Sequence, residues 1–153
     1  RRRGRRMKEE LDKKLVKAFP LLYGDRSAPM QSTAMCWGFA CSDGWFDIIW
    51  DLSSKLEPLI QKFIDENQDT EHYPKASQVK EKFGGLRFYM TCDTDEIFDL
   101  ISEAEALSLK TCEECGKPGE ERGGGWIHAL CDYCHENWDK IRSKRWEESD
   151  EDW

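Results

Sequence analysis

The chain has 153 residues and a formal net charge of −8, and 35% of its residues are charged. That length suits one domain with a real hydrophobic core. An acidic chain is a poor general platform for a nucleic-acid backbone, because phosphates repel it, although a local basic patch can override the repulsion. No apolar run reaches the length of a membrane span and no signal-peptide core is present, so we expect a cytoplasmic protein without a membrane partner.

The start of the chain is strongly basic. Its first eight residues include the cations Arg1, Arg2, Arg3, Arg5, Arg6 and Lys8. A helical pattern begins near Met7, so residues 1–6 are either a nucleic-acid arm or sequence upstream of the native start. We predict a disordered basic arm over residues 1–7 and an acidic tail over residues 147–153.

Residues 8–110 are predicted to form the main domain. Residues 8–19 have the apolar spacing of an amphipathic helix, which Pro20 ends. After a loop rich in turn-forming residues, residues 33–40 alternate large and small side chains with a period of two. This alternation predicts a strand.

A long helix is predicted after the turn at residues 42–44. Either Ser42 or Asp43 is expected to cap it through a side-chain hydrogen bond. Its apolar stripe has helical spacing and consists of Trp45, Ile48, Ile49, Leu52, Leu56, Leu59, Ile60 and Phe63. The stripe runs through Pro58, which predicts a kink or a short break.

Residues 79–90 predict a β-hairpin, with Gly84-Gly85 as its two-residue turn. Pairing across this turn gives one apolar face, made of Val79, Phe83, Leu86, Phe88 and Met90. Glu81 falls on that face, where it is either a paired structural carboxylate or a general acid or base. The paired interpretation is preferred. A further helix is predicted over residues 93–110, with a buried stripe of Ile97, Phe98, Ile101, Ala104 and Leu107.

The opposite face of the hairpin is the preferred candidate for ligand or partner binding. It carries Lys80, Lys82, Arg87 and Tyr89. Cations beside an aromatic ring suit a nucleotide or a single strand, because phosphates meet the charges and a base stacks on the ring. The alternative is a solvated face whose cations protect a sheet edge.

A second candidate ligand site combines Trp37, Asp43 and Trp45. Aromatic walls with a carboxylate suit a ligand that donates hydrogen bonds. The alternative assigns Asp43 to helix capping and Trp45 to the core.

Four cysteines carry the strongest signal in the chain. They form two C-x2-C pairs, Cys112 with Cys115 and Cys131 with Cys134. This spacing predicts a structural zinc site in which four thiolates fill the tetrahedron and leave no position for a catalytic water. Two disulfides or a redox C-x-x-C are the alternatives, and either His128 or His135 could replace one cysteine as a ligand.

The sequence around these cysteines predicts a treble-clef-like zinc finger over residues 111–146. A glycine-rich knuckle is followed by a short hairpin and then by a helix whose first turn supplies two ligands. The N-terminus of a helix favours negatively charged thiolates, which supports this order of elements.

Several segments resemble a group of small zinc-finger-like proteins encoded by bacteriophages and by prophage-bearing bacteria. The segments are Trp37-Gly-Phe39, Asp43-Gly-Trp-Phe-Asp47, residues 79–89, residues 112–119, and Gly124-Gly-Trp126 with the second cysteine pair. The resemblance covers most of residues 8–138, and residues 82–89 are its most specific part. It implies a phage or mobile-element origin and a bacterial host cytosol, but no activity.

These patterns together predict an α+β fold, with a small antiparallel sheet of about three strands packed by helices and a C-terminal zinc finger. No catalytic constellation accompanies the closed metal site, so we predict a non-enzymatic protein that captures or inhibits a host component. That component is either a host protein or a nucleotide-like signal. The alternative is a nucleic-acid-binding module that uses the hairpin face and the basic last helix. A hydrolase or nuclease is the third class, and the oligomeric state is left open.

Overall fold

The chain forms five α-helices and five short strands over the residues described by a computed structural model, which are 5–151 for the backbone and 5–145 for the side chains. In chain order these elements are α1 (Glu9–Ala18), β1 (Phe39–Ala40), α2 (Phe46–Asn67), β2 (Ala76–Lys82), β3 (Gly85–Met90), α3 (Asp95–Ser108), β4 (Glu120–Arg122), β5 (His128–Leu130), α4 (Asp132–Glu136) and α5 (Trp138–Glu151). Residues 1–4 of the predicted arm and 152–153 of the predicted tail lie outside the described residues. The backbone of the predicted tail is helical up to Glu151.

The first three strands form one sheet in the order β1-β2-β3. β2 and β3 are antiparallel, whereas β1 is parallel to β2, with Phe39 opposite Val79. The predicted α+β class is confirmed, but the sheet is mixed rather than antiparallel throughout. α2 forms the crossover between β1 and β2, which is the connection that parallel neighbours need.

The strand predicted over residues 33–40 is reduced to Phe39–Ala40. Residues Met35–Trp37 form a 3₁₀ turn instead, and Gly38 follows with a φ of +78°. A Cβ atom at Gly38 would lie 2.7 Å from the Asp12 carboxylate, so this turn needs glycine for both conformation and space. The alternating pattern in the sequence therefore misled the prediction, because a left-handed glycine interrupts the extended chain.

The hairpin turns at Phe83 and Gly84, one residue earlier than predicted. Their φ values of +54° and +80° are typical of a type I′ turn. Lys82 therefore pairs with Gly85, and every strand residue keeps its predicted face. Phe83 is the exception, because its place in the turn leaves the side chain 69% exposed.

The hydrophobic core lies between the inner face of the sheet and the helices. The sheet contributes Phe39, Ala76, Val79, Leu86 and Phe88, and α2 contributes Ile48, Ile49, Leu52, Leu56, Ile60 and Ile64. α2 runs through Pro58 without the predicted break. Pro58 and Ser54, whose carbonyl loses its partner, both lie on the exposed side, where water can solvate that carbonyl. In α3 the predicted stripe is buried at Ile97, Ile101 and Ala104, but Phe98 and Leu107 are exposed.

Both outer edges of the sheet have partners. On β3, Leu86 N donates to Ser108 Oγ at 2.9 Å and Phe88 N donates to Glu105 Oε2 at 3.0 Å. On β1, the Phe39 carbonyl accepts a hydrogen bond from Met7 N at 3.0 Å. These contacts cover part of each edge, so edge protection does not depend on the hairpin cations alone.

The cysteine-rich segment adds a second, two-stranded sheet. β4 and β5 are antiparallel, and α4 begins directly after β5. The knuckle, which we define as residues 112–119, is thus followed by the β4–β5 hairpin and by the helix α4, in the predicted treble-clef-like order. The last helix is divided at Asn137 into α4 and α5.

Within the part of the chain that the structure describes, no helix has both the length and the apolar character needed to cross a membrane.

Candidate metal centre and its surroundings

Four thiols converge next to the β4–β5 hairpin. The Sγ atoms of Cys112, Cys115, Cys131 and Cys134 all lie within 4.8 Å of one another, and all four cysteines are free. Cys115 Sγ and Cys131 Sγ are 3.6 Å apart. Metal–sulfur bonds of about 2.3 Å would give a tetrahedron with edges of about 3.8 Å, so the cluster has the size of a four-thiolate metal site.

The start of α4 polarises one of these thiols. Cys131 immediately precedes α4, and its Sγ accepts a hydrogen bond from Cys134 N at 3.4 Å. This hydrogen bond lowers the pKa of Cys131 to about 7, which favours the thiolate form. Burial raises the pKa of Cys115 and of Cys134. A cation at the centre of the cluster would favour the thiolate form of all four.

The first cysteine pair is attached to the turn between β1 and α2. Gly44 N donates to the Glu113 carbonyl at 2.7 Å, and Trp45 Nε1 donates to the Thr111 carbonyl at 3.0 Å. A Cβ atom at Gly44 would lie only 2.3 Å from the Cys112 carbonyl oxygen. Glycine is therefore needed for the two backbones to come this close.

Glu113 lies between two metal-site cysteines and is 1% exposed. One of its oxygens accepts a hydrogen bond from Ser42 N at 2.9 Å, and the other accepts one from Arg5 Nη1 at 2.7 Å. Burial raises the pKa of Glu113 to about 7, although the charge of Arg5 acts in the opposite direction. This side chain ties the knuckle both to the β1–α2 turn and to the start of the chain.

Arg5 is the centre of a buried ionic cluster. Its guanidinium contacts two carboxylates and two rings, namely Glu81 at 3.0 Å, Glu113 at 2.7 Å, His128, and the Trp138 ring at 5.5 Å from its centroid. The prediction of a disordered arm is therefore wrong for residues 5–7, because Arg5 is only 10% exposed and Met7 is buried. Sequence reasoning missed Arg5, since one arginine in a basic run carries no mark that distinguishes it.

Glu81 is a paired structural carboxylate, as preferred from the sequence. Its Oε1 atom lies 3.0 Å from Arg5 Nη1, and its Oε2 atom accepts a hydrogen bond from Gly84 N at 2.8 Å. Its two oxygens therefore serve the ionic cluster and the hairpin turn.

A second ionic contact connects α5 to Glu114 of the knuckle and to the turn between β1 and α2. Arg145 Nη2 contacts Glu114 Oε1, and Ser42 Oγ donates to that oxygen at 3.0 Å. The Arg145 guanidinium also lies 5.6 Å from the centroid of the Trp138 ring. Of the cations predicted for the last helix, Arg145 is therefore engaged within the fold, whereas Lys140, Arg142 and Lys144 are exposed.

Neither histidine belongs to the group of ligand atoms that the described residues bring together. His128 is buried between the rings of Trp126, 5.6 Å away, and Trp138, 4.4 Å away. Burial and the charge of Arg5 lower its pKa to about 4. His135 is exposed on α4. The four cysteines are thus the candidate ligand set among the described residues.

The second predicted ligand site does not form. Trp45 is fully buried in the core, whereas Trp37 is 61% exposed. Asp43 accepts a hydrogen bond from Lys8 N at 2.9 Å, so it caps the start of α1 rather than α2. Ser42 does not cap α2 through its side chain either, because its hydroxyl is bound to Glu114. Core packing and the contact with the Thr111 carbonyl thus explain Trp45, and capping of α1 explains Asp43.

The outward face of the hairpin collects the predicted cations. Lys80 lies directly opposite Arg87, and Lys82 and Tyr89 occupy the same side of the two strands. Tyr89 is 42% exposed. Among the side chains that the structure describes, no carboxylate forms an ion pair with Lys80, Lys82 or Arg87. We call this surface the hairpin face.

Comparisons of the chain with protein-family models, with curated proteins and with solved structures found no match. The function is therefore inferred from the residues themselves.

Proposed function

We propose that the four-cysteine cluster binds zinc as a structural ion. Thiolates are soft ligands that favour zinc over magnesium or calcium, and paired C-x2-C motifs with these separations suit a tetrahedral site. Zinc held by four thiolates has no coordination position left for a substrate. Its role would be to hold the knuckle, the β4–β5 hairpin and α4 together.

Metal analysis and native mass spectrometry of the purified protein test this assignment. We expect a stoichiometric amount of zinc in the natural chain and its loss in Cys115→Ser. Cys92→Ser is the matched control, because Cys92 is an exposed cysteine outside the cluster, and it should keep its zinc. Equal zinc contents in the two variants would contradict the proposal.

We also propose that the protein acts by binding an anionic partner on the hairpin face. The observation that carries this proposal is the gathering of Lys80, Lys82 and Arg87 beside Tyr89 on one face, without a carboxylate partner among the described side chains, in an acidic chain of net charge −8. Three exposed lysines on the helices have a carboxylate partner one turn away, such as Lys13 with Glu9 at 2.9 Å and Lys55 with Asp51 at 3.0 Å, whereas other exposed helix lysines, such as Lys14 and Lys17, have none among the described side chains. The hairpin cations have no comparable partner among the described side chains.

The pairing of the two strands strengthens this argument. Like charges directly opposite each other destabilise an antiparallel pair, and Lys80 lies opposite Arg87. An anion bound between them would remove that repulsion. Because Glu81 is engaged with Arg5 and the metal ligands are all thiols, binding is better supported than catalysis. The resemblance to phage-encoded proteins makes a host component the expected partner.

Titrations with labelled anionic probes test the hairpin face. The probes are a guanosine nucleotide, a polyglutamate peptide and a single-stranded oligonucleotide, each followed by fluorescence anisotropy. We expect the natural chain to bind at least one probe and Lys80→Ala/Arg87→Ala to bind it at least about tenfold more weakly. Lys55→Ala/Lys62→Ala removes the same charge from α2 and should not change the affinity. Equal losses in both double variants, or no binding of any probe, would contradict the proposal.

A further inference from the structure

We infer that the partner of the hairpin face is a single-stranded nucleic acid whose bases stack on Phe83 and Trp126. This inference rests on the proposed function, since it names the partner of the same surface and extends that surface by two aromatic rings. Phe83 lies in the turn of the β2–β3 hairpin, and Trp126 lies in the loop between β4 and β5. We call these two residues the aromatic tip.

Phe83 occupies a position that neither packing nor turn chemistry explains. Its side chain is 69% exposed, and its backbone lies in the left-handed region with a φ of +54°. Glycine, asparagine and aspartate are the usual residues there, and a bulky residue at positive φ is a genuine outlier. Strained residues of this kind cluster at ligand-binding sites. An exposed ring held in a strained turn is therefore better explained by a ligand than by stability.

The β4–β5 loop places the second ring next to a residue that contacts the same turn. Gly84 packs against Ile127, and a Cβ atom at Gly84 would lie 2.8 Å from Ile127 Cγ2. Trp126 directly precedes Ile127 and is 60% exposed. Its ring stacks on His128 with an interplanar angle of 19°, which orients the indole while leaving much of it open to solvent. The two exposed rings therefore belong to loops that are in contact with each other.

Rings and cations follow one another along the hairpin. Tyr89 is followed by the Lys80–Arg87 pair, then by Lys82, whose Nζ lies 5.4 Å from the centroid of the Phe83 ring. The four residues of β3 between Tyr89 and the turn span about 13 Å. A single strand offers bases for the rings and phosphates for the cations, and this combination is the usual basis of sequence-tolerant single-strand binding.

The same features argue against the other anionic partners. A duplex keeps its base faces stacked internally, so it cannot use exposed rings. An acidic peptide or a free nucleotide would engage the cations but would not need rings at both ends of the face. The acidic remainder of the chain also limits binding by charge alone. Three cations contacting phosphates of a single strand predict a log–log dependence of affinity on salt with a slope of about −2.

Fluorescence anisotropy with labelled oligo(dT), oligo(U) and a matched duplex tests the inference. We expect both single strands to bind more tightly than the duplex. Phe83→Asn and Trp126→Ala should each weaken single-strand binding about tenfold, which is the effect of losing one stacked base. Phe83→Asn keeps the fold, because asparagine tolerates positive φ. Phe98→Ala is the control, since Phe98 is a 60% exposed ring on α3, and it should bind like the natural chain.

The outcomes separate this inference from the proposed function. Preference for the duplex, or unchanged affinity in both Phe83→Asn and Trp126→Ala, would overturn the inference. Binding of the nucleotide or the polyglutamate peptide without single-strand binding would also overturn it, and would leave the hairpin face as the binding site if Lys80→Ala/Arg87→Ala abolishes that binding. No binding of any anionic probe would overturn both.

Discussion

Gly44 and Arg5 make the contacts that position the knuckle against the main domain. Gly44 has no side chain, so its backbone reaches the Glu113 carbonyl at 2.7 Å. Arg5 brings a positive charge to two carboxylates that would otherwise be buried without one, Glu81 and Glu113. A buried carboxylate without a partner is strongly unfavourable, so each of these contacts should be visible in the free energy of unfolding.

Gly44→Ala should lower the free energy of unfolding by about 2–3 kcal/mol, because its Cβ atom would overlap backbone atoms that cannot move independently. The overlap would be with the carbonyl oxygens of Cys112 at 2.3 Å and Glu113 at 2.4 Å. Urea denaturation measures the change. Gly124→Ala is the matched control, because no atom lies within 4 Å of its Cβ position, and it should change the free energy by less than about 0.5 kcal/mol. Equal effects at both glycines would contradict the packing described for Gly44.

Arg5→Ala should cost about 3 kcal/mol, because it leaves the Glu113 and Glu81 carboxylates without their cation. Arg6→Ala removes the same charge from an exposed neighbour and should cost little. Adding Glu113→Gln to Arg5→Ala should recover part of the loss, which a double-mutant cycle measures. If Arg5→Ala were as stable as Arg6→Ala, the ionic cluster would have no energetic role.

At the scale of elements, the β2–β3 hairpin pairs its strands with the predicted faces but has a strained turn, because Phe83 adopts a positive φ. Its strand faces follow from the alternation in the sequence, since a period of two assigns each side chain to one side. The position of the turn does not follow from that alternation. A Gly-Gly pair marks two adjacent places for positive φ, yet the chain uses Phe83 and Gly84. α3 contributes to that choice, because Ser108 and Glu105 bind the backbone of β3.

Phe83→Asn should raise the free energy of unfolding by about 1 kcal/mol, because asparagine adopts a left-handed backbone at lower cost than phenylalanine. Thermal or urea denaturation measures the gain. The same replacement at Phe98, within α3, should not stabilise the protein, because asparagine is a poorer residue for a helix interior than for a turn. A less stable Phe83→Asn variant would show that the ring contributes to the fold and not to binding alone.

At the scale of the whole molecule, the cysteine-rich segment (residues 111–146) is integrated with the main domain rather than appended to it. Glu113 connects the knuckle to Ser42 and Arg5. The Trp45 indole donates a hydrogen bond to the Thr111 carbonyl, and Arg145 of α5 contacts Glu114. The finger also supplies Ile127 to the hairpin turn. Loss of the proposed zinc should therefore destabilise backbone contacts outside residues 112–136 as well.

Removal of the metal by a chelator should raise hydrogen exchange at the amides of Ser42 and Gly44 as well as in β5 and α4, because their acceptors belong to the knuckle. The amide of Ile101, in the core-facing stripe of α3, should stay protected and serves as the internal control. Mass spectrometry of exchanged peptides measures both. Increased exchange confined to residues 112–136 would show that the finger unfolds independently.

Spacing and periodicity determined, from the sequence alone, the features that depend on neighbours along the chain. These are the α+β class, most of the helices, the faces of the hairpin and the four-cysteine cluster, because C-x2-C pairs and apolar stripes specify local geometry. The positions of turns did not follow from these patterns. The strand predicted over residues 33–40 is therefore longer than the observed strand Phe39–Ala40.

Only the tertiary structure decided the features that join distant segments. The partner of Glu81 is 76 positions away at Arg5, and the apparent ligand pocket at Trp37, Asp43 and Trp45 proved to be a capping and docking turn. The parallel pairing of β1 with β2 and the contact of Ile127 with Gly84 in the hairpin turn likewise depend on how α2 and the cysteine-rich segment pack. Such contacts follow from the burial of surfaces contributed by many residues at once, and no local pattern in the chain encodes them.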